Sequence, residues 1–110
     1  MPDSAAARVR APAEPCSETC PAVADAARAT VAGRPEVLAA YVFEQPDLTG
    51  RPRLYVGMHL TRGVVAAVVM PALDADLRRR LSAGERVAVI ALSRRMLLEV
   101  RQRVAPVADA

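Results

Sequence analysis

The sequence predicts an α+β fold: a small mixed β-sheet with helices packed against it, in the order α-β-β-α-β-α. Three observations lead there. Short runs at 37–44, 53–60 and 86–92 are rich in Val, Leu, Ile and Tyr, and they alternate or are apolar on both faces. Between and around them, apolar residues recur at helical spacing. Clusters of Gly, Pro, Asp and Thr separate the segments.

The first helix is expected over 20–32, with Thr19 as its N-cap and Pro21 in its first turn. Val23, Ala27 and Val31 are four apart and share a face. Gly33 suits the position just past the helix end, and Pro35 blocks continuation. The first strand, 37–44, carries Val37, Ala39, Tyr41 and Phe43 on one face and Leu38, Ala40 and Val42 on the other. Two apolar faces place it inside the sheet. The second strand, 53–60, alternates: Leu54, Val56, Met58 and Leu60 against Arg53, Tyr55, Gly57 and His59. The turn-rich loop between the two makes them an antiparallel hairpin, with Glu44 and Arg53 near its mouth.

Residues 64–70, Val-Val-Ala-Ala-Val-Val-Met, fit a strand by composition and a first helical turn by position. We read them as helix, kinked into a firmer helix over 71–82. Leu73, Leu77 and Leu81 would form its buried stripe, with Asp74 and Asp76 near its start and Arg78, Arg79 and Arg80 near its end. A third strand at 86–92 is apolar on both faces. Ser93 would cap a last helix to residue 104, with Met96, Leu97, Val100 and Val104 inward and Pro106 as its stop. A right-handed crossover sets the third strand parallel to the second. The domain then spans 19–106. Residues 1–18, rich in Ala and Pro and poor in bulky hydrophobes, are expected to be a disordered tail, and 107–110 a second short tail.

Composition narrows the function. Of the 110 residues 53% are hydrophobic but only 3% aromatic, so the core must be aliphatic. The net charge is +3 and every basic residue is Arg, a bias that fits a GC-rich bacterial gene. Spread along the chain, this charge does not form the basic face that nucleic acid needs. The longest uncharged apolar run, 63–73, falls well short of the ~20 residues of a membrane span. No export signal is read at the start, so a cytoplasmic location is expected, with reduced thiols.

Three stretches carry a family resemblance: Gly33-Arg34-Pro35-Glu36-Val37-Leu38-Ala39-Ala40-Tyr41, Arg53-Leu54-Tyr55-Val56-Gly57-Met58, and Gly84-Glu85-Arg86-Val87-Ala88-Val89-Ile90. Together they resemble the C-terminal domain of the bacterial SseB, or enhanced serine sensitivity, family over about residues 19–106. The resemblance implies no enzymatic activity.

The residues themselves offer few chemical sites. Cys16 and Cys20 form a Cys-x3-Cys pair that could hold a soft metal such as copper(I), though a closed zinc site needs four ligands and His59 is the sole histidine. A pair of thiols with no further role is the plainer reading. His59, Tyr55 and Arg53 line one face of a strand and could hold an anion, but no catalytic partner or phosphate loop accompanies them. Arg78, Arg79 and Arg80, with Arg94 and Arg95, read as solvated surface, because adjacent helix residues point to different sides. The apolar surplus is the stronger signal, since contiguous exposed patches mark partner surfaces. Tyr55, His59, Val64, Val65 and Val68 are the candidate contact residues. The expected function is a non-enzymatic protein-interaction or accessory module without a cofactor, self-associating or bound to another protein. A small-ligand or soft-metal domain built on Cys16 and Cys20 is the alternative.

Overall fold

The structure, a computed structural model, describes residues 19–81 and 87–109. The expected tail at 1–18 lies outside the described residues. Helix α1, Thr19–Val31, ends where Gly33 adopts φ 73° and the Arg34 amide bonds the Val31 carbonyl at 3.0 Å. Val23 and Ala27 are fully buried. Thr30 is buried beside them, and its hydroxyl bonds the Ala26 carbonyl at 2.8 Å, so the apolar face carries no unmet polar group.

Strands β1, Val37–Pro46, and β2, Pro52–Leu60, form the expected antiparallel hairpin. Its tip is fixed by Asp47. The carboxylate accepts from the Thr49 amide at 2.8 Å, the Thr49 hydroxyl at 2.6 Å and the Arg51 amide at 3.1 Å. Gly50 then closes the loop at φ 85°, a backbone state that a side chain would strain. Those hydrogen bonds, led by the Thr49 hydroxyl, hold the Asp47 carboxyl below its ordinary value. Arg53 stands opposite Gln45 and Glu44 opposite Leu54, and no ion pair joins Glu44 to Arg53 among the described residues.

One face of the hairpin differs from simple alternation. A bulge between Val37 and Ala39 turns Val37 onto the same side as Ala40 and Val42, and leaves Leu38 39% exposed. That side packs on α1 and on α2, Ala66–Arg80, around Leu54, Val56, Met58, Leu73 and Leu77. Fully buried side chains of this size contribute about 1.5–3 kcal/mol each.

Helix α2 bears out the helical reading of the run before Pro71 and trims its bounds to Ala66–Arg80. Val64 and Val65 precede the helix, and Pro71 sits inside it. The lost N–H leaves the carbonyl four residues back, that of Ala67, without its helical partner. Ala67 is exposed, so water can take that carbonyl. Because the helix begins at Ala66, Asp74 and Asp76 are mid-helix, not near a positive dipole end. Their role is ion pairing. Arg78, Arg79 and Arg80 do fill the last turn, as the dipole favours.

Strand β3, Val87–Ala91, pairs parallel with β2, as the crossover rule requires. Ser93 caps helix α3, Arg94–Arg101, accepting from the Met96 amide at 3.2 Å. The helix is shorter than expected; Val104 lies beyond it but still packs inward. Residues 107–109 are not a tail. The Val107 amide bonds the Ala40 carbonyl at 2.8 Å, and β4, Ala108–Asp109, pairs antiparallel with β1. The sheet order is β3-β2-β1-β4.

Helix α3 covers the second face, where Leu97 and Val100 meet Ala39, Tyr41 and Phe43. Phe43 stacks on Tyr55 across the strands, centroids 5.5 Å apart. Gly57 belongs to this face and is buried under Leu92: a Cβ there would sit 2.7 Å from Leu92 Cδ2. Gly57→Val should therefore lower unfolding free energy by about 1–3 kcal/mol in urea titration. Combined with Leu92→Ala, the loss should be smaller than the sum of the two. Additive losses would show that Leu92 is not the obstacle.

Candidate functional site

The residues singled out as contacts do not form one surface. Tyr55 is half-buried in the α3-side core, packed on Phe43. His59 is half-buried on the same strand face. Val64 is half-buried in the loop before α2, while Val65, the N-cap residue of α2, and Val68, in its first turn, are 60% and 72% exposed. Only Val65 and Val68 are neighbours on an exposed helix face. Cys16 and Cys20 lie outside what the structure describes of the side chains. Among the described residues, no group of three His, Cys, Asp or Glu side chains could hold a metal ion. No helix among them is long and apolar enough to cross a membrane.

A cleft of about 610 Å³ lies between the end of α1 and β4. Arg28 and Arg34 line it, but both are engaged. Arg28 donates to the Val107 carbonyl at 2.9 Å and pairs with Asp25. Arg34 reaches Asp76 at 3.3 Å and Glu36 at 3.8 Å. These guanidinium contacts hold α1, the following loop and β4 together.

Asp76 is the polar centre of α2. Its side chain is 10% exposed, between the buried Leu73 and Leu77. Arg79 approaches at 2.6 Å, Arg80 at 3.4 Å and Arg34 at 3.3 Å. Burial pushes the carboxyl up, but the Arg79 hydrogen bond, the charges of Arg80 and Arg79 and the Arg34 hydrogen bond outweigh it and hold it below the usual 3.8. So two of the three adjacent arginines share one carboxylate with Arg34.

The third, Arg78, leads to a feature that the sequence does not show. It pairs with Asp74 at 3.0 Å, and its guanidinium donates to the Val87 carbonyl of β3 at 3.1 Å. β3 is an edge strand with β2 on one side. The Leu92 amide bonds the Met58 carbonyl at 2.9 Å, so residue 92 faces β2. Backbone direction alternates along a strand. Ala88 and Ile90 therefore also face β2, and the backbone groups of Val87, Val89 and Ala91 face outward. Arg78 takes the first of these carbonyls. The Val89 and Ala91 amides and carbonyls have no hydrogen-bond partner among the described residues. Beside them, Met70 and Pro71 of α2 with Ala88, Val89, Arg53 and Arg78 line a groove of about 440 Å³.

The edge is apolar, half-buried and five residues long. Such edges accept an added strand by main-chain pairing. The sequence marked 86–92 as a two-sided apolar strand, which is a pattern for an interior position. Only the sheet order reveals it as an edge. Searches against protein-family models, curated proteins and solved structures find no match to this chain.

Because Asp76 is depressed in the folded chain, its stabilising effect is complete above the ordinary carboxyl value near 3.8 and disappears as pH falls through the folded value. Asp76→Asn should lower the melting temperature at pH 7. It should also flatten the fall in melting temperature between about pH 5 and 2 that the unaltered chain shows. Equal acid sensitivity in both proteins would mean that Asp76 is not the titrating group.

Proposed function

We propose that this chain is a non-enzymatic protein-interaction module whose working surface is the outer edge of β3. The carrying observation is the row of outward backbone groups at Val89 and Ala91 beside a groove of mixed lining, apolar at Met70, Pro71 and Val89 and charged at Arg53, Asp74 and Arg78. Added-strand binding uses main-chain hydrogen bonds for affinity and flanking pockets for side-chain selection. Both parts are present here: β3 supplies the donors and acceptors, and Met70, Pro71 and Val89 supply the apolar wall. The resemblance to the SseB C-terminal domain, with its lack of implied catalysis, is in keeping with an accessory role in a bacterial cytoplasm.

Self-association and binding of a different protein both remain forms of this reading, since either can supply a strand. Val65 and Val68 are a subsidiary apolar pair at the start of α2.

Paired affinity capture and amide exchange test the proposal. Ala91→Pro removes one outward-facing N–H while leaving the β2–β3 ladder its own donors. A partner captured by the unaltered chain should be lost from the Ala91→Pro chain, and the Val89 and Ala91 amides should exchange at least about tenfold more slowly in the purified complex. A complex in which those two amides exchange as in the isolated chain would place the interface elsewhere.

A further inference from the structure

We infer that the strand completing β3 comes from a segment with acidic flanks and not from a second copy of this chain. This rests on the edge reading above and adds the charge of the partner.

Arginines stand at both ends of the edge. At its N-terminal end Arg53 and Arg78 line the groove beside Ala88 and Val89. At its C-terminal end the chain turns at Leu92 and Ser93 directly into the exposed Arg94 and Arg95 of α3. Among the described residues, Asp74 is the acidic residue lining the groove, and its pairing with Arg78 at 3.0 Å leaves Arg53 as the uncompensated charge at that end. Glu99 sits a turn further along α3. The edge is therefore an apolar strip with a positive charge at each end.

That arrangement decides between partners. Identical edges related by a two-fold axis pair antiparallel, so the N-terminal end of one faces the C-terminal end of the other. Arg53 and Arg78 of one copy would then approach Arg94 and Arg95 of the next. Like charges placed together oppose association and act as a specificity device. A five-residue edge has little apolar area with which to overcome this. A heterologous strand with Glu or Asp at both ends meets the same arginines as complements, in either strand direction. Arg is suited to the task because its planar guanidinium bonds a carboxylate with two parallel N–H groups. The apolar centre of the partner should alternate, so that one set of side chains enters the groove beside Met70 and Pro71.

Fluorescence anisotropy with two labelled nonapeptides tests this. Both have an alternating valine–threonine core; one carries two glutamates at each end and the other two lysines. The glutamate peptide should bind the intact chain roughly tenfold more tightly than the lysine peptide. The gap should narrow as salt rises to ~0.5 M, because exposed charges are then screened. The exposed pair Arg53→Glu and Arg94→Glu should reverse the preference without loss of fold, checked by circular dichroism. Methylation of the glutamate peptide's central backbone amides should abolish binding, a control that leaves the protein unaltered. Equal affinity for the two peptides, with the methylation effect retained, overturns the acidic-partner inference and leaves the edge reading standing. Binding of neither peptide overturns both. A dimer in sedimentation that Ala91→Pro dissociates would assign the edge to a second copy and overturn the inference.

Discussion

Nine residue pairs between β1 and β2, from Val37 with Leu60 to Pro46 with Pro52, set which side chains face α1 and α2 and which face α3. A slip of one residue would exchange the two sets, because side chains alternate along a strand. Slipping β1 would bring Tyr41 and Phe43 under α1 and α2, and Ala40 and Val42 under α3. Both faces of this pairing are apolar, so both must be covered. That is why the three described helices divide them, two on one face and one on the other. Asp47 and Gly50 hold the register from the turn, through bonds that no apolar contact could replace.

The charged residues follow from that arrangement. α2 must lie close to the sheet to bury Leu73 and Leu77, and this draws Asp76 out of water. A buried carboxylate without partners is costly, so Arg34, Arg79 and Arg80 converge on it. Arg34 comes from the loop after α1, so the cluster also joins two elements far apart in sequence. Arg78 is left facing the other way, toward β3, where it occupies one outward carbonyl of an otherwise unpaired edge. Lone charges on edge strands are a common guard against indiscriminate pairing. Here the guard also gives the edge a charge preference.

The fold was easier to read in the sequence than the site. Hairpin, crossover and Ser93 cap each rest on local signals: alternation, a Gly- and Pro-rich loop, a capping hydroxyl ahead of an apolar period. The bulge at Val37, the start of α2 at Ala66 and the closing strand at Ala108 were not legible. Each depends on a distant partner: Leu60 for the bulge, the sheet beneath Val69 and Met70 for the helix, Ala40 for β4. Tyr55 and His59 looked like a wetter strand face, yet α3 and Leu92 cover that face. Val65 and Val68 did prove exposed, but on a different element.

By itself the sequence determined the order of the elements from α1 to α3, the aliphatic core and the parallel placement of β3, because periodicity, turn chemistry and crossover handedness are local or nearly universal constraints. It also determined that apolar surface would be abundant. Where that surface meets solvent was decided only by tertiary structure. Val87–Ala91 has the composition of an interior strand, and it became an edge because the chain closes the sheet beyond β1 with Ala108–Asp109 and adds nothing described beyond β3. Strand order is a property of long-range pairing, and no local pattern of residues encodes it.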